Sequence, residues 1–177
     1  MEREVNGGVT VETVEGDISS QDDMDAVVNA ANAELTSGGG VAGAIHQAAG
    51  PGLAEESRPL SPIQPGEAVI TGGHELPNRQ VIHVLGPVYG SDKPEDELLA
   101  QCYRNTLSLA EEHDLESVAF PSISTGAFGY PVEEAAEVAL RTVLESAENL
   151  QSIRRIRFVL YGEENFEAYE RVLPRLL

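Results

Sequence analysis

Asn29 and Asn32 follow a short apolar run, Ala26-Val27-Val28, and three consecutive glycines, Gly38 to Gly40, then lead into an apolar segment of helical character. A strand, a polar elbow, a bare loop and a helix start are together the parts needed to hold a phosphorylated ligand. Glycines let main-chain N–H groups approach an anion closely, and the helix that follows adds its positive dipole end. Two further segments have the same character: Gly16-Asp17-Ile18 after the first strand, and the loop from Ser122 to Tyr130 after a later one. Ligands of open α/β sheets bind beyond the carboxyl ends of the strands. Three strand-end loops of glycine and small polar residues therefore predict a diphosphate gripped between two loops, with a polar group at each end.

The elements that must position these loops alternate along the chain. Val9 to Val14 reads as a strand, as do Ala26 to Val28, Ala68 to Thr71, Gln80 to Leu85, Val118 to Phe120 and Ile156 to Tyr161, each bounded by a turn or loop. Val41 to Ala49 reads as a helix stopped by Gly50-Pro51. Pro94 opens another, with Glu95, Asp96 and Glu97 in the first turn, where the dipole favours anions. Pro131 opens a third with an inner stripe of Ala135, Ala136, Ala139, Val143 and Ala147, and Phe166, Tyr169, Val172, Leu173 and Leu176 stripe a fourth. Short strands alternating with such helices predict one α/β domain over residues 1–177, a three-layer α/β/α arrangement whose mixed sheet is parallel in its centre.

Composition narrows the partners. Thirty acidic residues face eleven basic ones, for a net charge of −19, and Lys93 is the single lysine. Such a chain has no basic stripe with which to bind nucleic acid. An acidic, lysine-poor surface suits a protein kept soluble at high salt, where self-repulsion is screened, so a halophilic source is expected. No run reaches the length of a membrane span and the N-terminus lacks a signal-peptide pattern, which predicts a cytoplasmic monomer without membrane attachment. The one cysteine, Cys102, excludes an internal disulfide and sits at helical spacing among Leu98, Leu99, Tyr103 and Leu107, as core filler does. No G-x-G-x-x-G follows the first strand, no Gly-Lys-Ser/Thr follows the triple glycine, and no serine lies in a G-x-S-x-G elbow. His46, His74, His83 and His113 have no ligand spacing with cysteine or acid, so neither a metal nor a cofactor is expected.

Taken together, GDI (Gly16 to Ile18), DAVVNAAN (Asp25 to Asn32), GGGVAGAIHQAAG (Gly38 to Gly50), VIHVLGP (Val81 to Pro87) and FPSISTGAFGYP (Phe120 to Pro131) resemble the macro domain family, in the right order and over nearly the whole chain. The resemblance implies an ADP-ribose-binding α/β/α domain whose members read ADP-ribosylation, remove it, or deacetylate O-acetyl-ADP-ribose. By that resemblance Asp17 matches the carboxylate that accepts from the adenine amine, and Ile18 a neighbouring backbone contact. Asn32 matches the asparagine on the distal ribose and Asn29 its companion in the elbow. Gly38, Gly39, Gly40 and Val41 match the first diphosphate loop. Ser124, Thr125, Gly126, Ala127 and Phe128 match the second. Phe128 covers the distal ribose or anchors the loop to the core, and Tyr161 lies against adenine or in the core. His46 matches a frequent histidine of the first helix, where a buried, hydrogen-bonded role is expected over a catalytic one.

One departure matters. Many hydrolytic members carry an aspartate two residues after the glycine run; this chain has Ala42. Two functions follow as alternatives. One is hydrolysis of ADP-ribosyl esters, on ADP-ribosylated Asp/Glu of proteins or on O-acetyl-ADP-ribose, with Asn29, Asn32 and Phe128 as catalytic positions. The other is a non-catalytic ADP-ribose reader, which Ala42 favours.

Overall fold

The computed structural model describes residues 1–177. A seven-stranded sheet runs in the order β1-β2-β7-β6-β3-β5-β4, with β1 at Glu2–Val5, β2 at Val9–Glu15, β3 at Ala26–Ala30, β4 at Ala68–Gly72, β5 at Gln80–Val84, β6 at Ser117–Phe120 and β7 at Arg155–Leu160. The five central strands β2, β7, β6, β3 and β5 are mutually parallel, and both edges, β1 and β4, are antiparallel. Helices α1 (Gly40–Ala49), α2 (Gly52–Ser57), α3 (Glu95–Glu112), α4 (Val132–Ala147) and α5 (Glu163–Leu176) cover the two faces, giving the expected three layers.

The strand pleat divides the sheet residues between two cores. Val28, Ile82, Val118, Phe120, Ile156 and Phe158 point towards α3, α4 and α5 in the larger one. There Phe120 and Phe158 stack at 5.6 Å between centroids, with Tyr103 and Tyr169 tilted against them. Cys102 belongs to this core; its thiol donates to the Leu85 carbonyl at 3.3 Å, and burial pushes its pKa up to about 12. On the other face Val27, Val81, Ala119 and Val159 meet Ile45, Ala49 and Leu53 of α1 and α2, with Ile18 and Met24 closing the edge.

Three elements depart from the sequence reading. β1 has no sequence signal, because Glu2-Arg3-Glu4 carries only charge; the segment is a strand through its antiparallel pairing with Val9–Glu12. α2 is a single short helix after the Gly50-Pro51 stop, tied by the buried Leu53. Tyr161 falls one residue beyond β7 rather than ending it, and is 83% exposed, which removes the core role for it.

Candidate functional site

The carboxyl ends of β2, β3, β6 and β7 open into a cleft made of two hollows that share Gly40, Val41, Ser122 and Gly126. The first, about 460 Å³, is lined by Asp17, Ile18, Val41, Val159, Tyr161 and Asn165 among others. The second, about 370 Å³, is lined by Asn32, Gly38 to Ala42, Gly86 and the loop Ser122 to Phe128 except Thr125. The three loops singled out in the sequence thus converge on one trough.

The first loop derives its form from the helix behind it. Gly39 caps α1 with no side chain, and no acidic residue occupies the first turn. The N–H groups of Gly39 to Ala42 have no acceptor elsewhere in the chain, so the positive end of α1 is left open to the cleft. Gly43 permits this packing, since a Cβ there would lie 2.4 Å from the Gly38 carbonyl oxygen. The second loop is a turn closed by Gly129 N–H to the Gly126 carbonyl (3.0 Å) and Tyr130 N–H to the Ser124 carbonyl (2.9 Å). The N–H groups of Ser124 to Phe128 have no partner in the chain either. Ser124 sits at φ +68° with its hydroxyl buried and unpaired, tucked against Gly86; a Cβ on Gly86 would come within 2.2 Å of that oxygen. Facing rows of unengaged N–H groups make an anion site that needs no cation. None is present: Asp17 and Tyr161 are the only ionisable residues lining the trough.

Each end has its own character. At the first hollow Asp17 is exposed, and its Oδ1 accepts from the Ser19 N–H (2.8 Å) and hydroxyl (2.6 Å). These bonds lower its pKa, so it is ionised at neutral pH with Oδ2 unengaged. Ile18 lies beneath, buried against Val159. At the second hollow there is no titratable side chain at all. Phe128 is half-buried and does both things the sequence left open: it lines the hollow and packs on the small cluster of Ala31, Leu35, Ile63 and Leu85. Asn32 lines the hollow while its amide caps the following turn, with Oδ1 accepting from the Thr36 N–H at 3.0 Å and Nδ2 donating to the Thr36 carbonyl at 3.1 Å. That bracket holds the buried Leu35 at φ +60°.

Asn29 is a correction. Its side chain is fully buried on the α1 face of β3 and lines neither hollow; its Nδ2 meets His83 Nδ1 at 3.1 Å, and His83 Nε2 meets the Thr71 hydroxyl at 2.9 Å. It supports the elbow from behind instead of standing in the cleft. His46 is likewise buried and lines neither hollow, but its Nε2 has no hydrogen-bond partner, so burial is as expected and the hydrogen-bonded role is not. Sequence reasoning missed Gly86 and Asn165 as cleft residues. Asn165 had a usable signal: it lies one helical turn beyond Tyr161, and its Nδ2 donates to the Tyr161 carbonyl at 3.3 Å. Gly86 entered the sequence reading only within the run Val81 to Pro87.

A family model described as Macro domain matches residues 28–139, which hold the elbow, the glycine run and the second loop. The chain belongs to the macro domain family. A macro domain-containing protein of Chlorobaculum tepidum is 48% identical over 93% of this chain and 96% of its own. An O-acetyl-ADP-ribose deacetylase of Klebsiella pneumoniae is 46% identical over 93% of this chain and 97% of its own. Among solved structures, the Oceanobacillus iheyensis macrodomain with ADP superposes with a TM-score of 0.93 at 41% identity, over 99% of this chain and 95% of that one. The Trypanosoma brucei macrodomain in complex with ADP-ribose gives 0.85 at 36% identity, over 91% and 68%. Mixed sheet and layer order are therefore those of a macro domain.

Proposed function

We propose that this macro domain binds ADP-ribose and hydrolyses esters carried on its distal ribose. The observation that carries the reading is the trough itself: two rows of unengaged backbone N–H groups, with an ionised carboxylate at one end and an uncharged hollow walled by Phe128 at the other. Adenine fits the Asp17 end, its amine donating to the free Oδ2 and its ring resting beside Ile18 and Tyr161. The diphosphate lies between the Gly38 to Val41 and Ser124 to Ala127 segments. The distal ribose reaches Asn32 and Phe128. Relatives that bear the name O-acetyl-ADP-ribose deacetylase at this level of identity support a hydrolytic role.

The chemistry must be done without a side-chain base, because the distal hollow holds none and Ala42 supplies no carboxylate. A water held between a ligand phosphate oxygen and the Asn32 elbow can lose its proton to that phosphate as it attacks. On a glutamate-linked substrate the C1″–O bond breaks and the glutamate carboxylate leaves; on an O-acetyl ester the water attacks the acetyl carbonyl, the bond from that carbon to the ribose oxygen breaks, and the ribose oxygen takes back the proton held by the phosphate, giving ADP-ribose and acetate. Positioning and exclusion of bulk water supply the rate.

A time course with glutamate-linked mono-ADP-ribosylated protein and with O-acetyl-ADP-ribose tests this. Free ADP-ribose should accumulate above the enzyme-free control, at a rate that changes little between about pH 6 and 9 because the distal hollow holds no titratable side chain. The reader alternative, favoured by Ala42, takes its place if ADP-ribose binds and neither substrate is cleaved.

A further inference from the structure

Arg157 is the most buried cation of the molecule, at 8% exposed, and lies on β7 two residues before Val159, which lines the Asp17 end of the trough. It does not touch the cleft. Four of its five N–H groups are engaged: Nη1 and Nη2 fork onto Asp23 at 2.7 and 2.8 Å, Nε faces Glu12 at 3.3 Å, and Nη1 also donates to Gln21 Oε1 at 2.9 Å. Gln21 passes the connection on. Its Nε2 donates at 2.9 Å to the backbone carbonyl of Asp17, which also accepts the Ser20 N–H at 3.1 Å. The same amide lies against Gly16, 3.9 Å from where a Cβ would stand. The far end of the segment is pinned by Asn78 Nδ2, which donates to the carbonyls of Gln21 (2.6 Å) and Met24 (2.8 Å).

A buried guanidinium costs several kcal/mol of desolvation unless its donors are used, and here one of them is spent on a glutamine whose other end holds the Asp17 peptide. The fork on Asp23 fixes the guanidinium plane, and that plane fixes the Gln21 amide. The carboxylate of Asp17 is held only locally, by Ser19, so the direction of its free oxygen depends on where its peptide is held. We infer that Arg157 and Gln21 are positioning residues for base selectivity. Through the Asp17 carbonyl they aim the carboxylate at an exocyclic amine, so the cleft distinguishes an adenine ring from a purine that carries oxygen at that position.

This inference rests on the adenine placement proposed above. Its test is the ratio of affinities for ADP-ribose and for inosine diphosphate ribose, which lacks the amine donor. The unaltered protein should favour ADP-ribose at least about tenfold, the size of one hydrogen bond to a charged group. Gln21→Met keeps the length and apolar packing of the side chain but severs both bonds. It should bring the ratio to within about threefold of unity, mostly by weakening ADP-ribose, and match the ratio of Asp17→Ala. Arg157→Lys, which keeps the charge and loses the fork, should fall between. Equal weakening of both ligands in Gln21→Met, or an unchanged ratio, overturns the positioning role. If the unaltered protein binds both nucleotides equally, Asp17 does not read the base and the inference fails while ADP-ribose binding stands. If it binds neither, the proposed function fails first.

Discussion

On the proposed hydrolytic reading, Ala42 limits how fast the cleft can work. It is the third residue of α1, 5% exposed, and its side of the helix lines the distal hollow. An aspartate there would point a carboxylate into the hollow from a first helical turn, where the dipole favours it. General-base catalysis by a positioned side chain contributes about 10²- to 10⁴-fold. Ala42→Asp should therefore raise the turnover of O-acetyl-ADP-ribose by at least about tenfold and add an acidic limb to a flat pH profile. An unchanged rate with a still-flat profile would mean that the hollow does not hold the attacking water. Most cleft residues were legible in the sequence because they are loop residues of special type: glycines, Asp17, Asn32, Phe128. Asn29 looked like one of them but faces the core, since residues of a strand alternate sides and Asn29 shares its side with Val27. Arg157 and Gln21 left no trace at all. Their link joins residues 136 positions apart, and only the β2–β7 pairing brings them together.

Asn29, His83 and Thr71 form a polar line across β3, β5 and β4, under the helix that follows the glycine loop. His83 is fully buried, and desolvation, with a lesser push from the neighbouring His46, lowers its pKa from 6.5 to about 4. The folded state thus takes up its proton only at lower pH than the unfolded chain does. Its contribution to stability is complete above about pH 6.5 and drains away as pH falls towards 4, by about 3 kcal/mol in all. Urea midpoints should fall between pH 7 and pH 4.5, and the imidazole resonances of His83 should stay mainly neutral over that span in the folded protein. A folded-state titration of His83 near pH 6.5 would contradict the buried, neutral line. At this scale the strands and long helices were readable, because β-branched runs, alanine stripes and prolines at helix starts act locally. β1 was not, because a charged edge segment becomes a strand only through its neighbour, and α2 was not, because six residues are too few to show a period.

Across the whole molecule the charge runs against the proposed ligand. The chain carries −19, the trough contains no lysine or arginine, and the diphosphate is to be held by main-chain dipoles alone. Those dipoles act within a few ångströms, whereas the net field reaches a Debye length, about 30 Å at 0.01 M salt and 3 Å at 1 M. Added salt therefore removes the repulsion and leaves the backbone contacts, the reverse of a site built on cations. A calorimetric titration with ADP-ribose at about 0.01, 0.15 and 1 M salt checks binding of the diphosphate by backbone dipoles. One saturable site whose affinity rises with salt is expected; absence of saturable binding, or an affinity that falls steeply with salt, would contradict it.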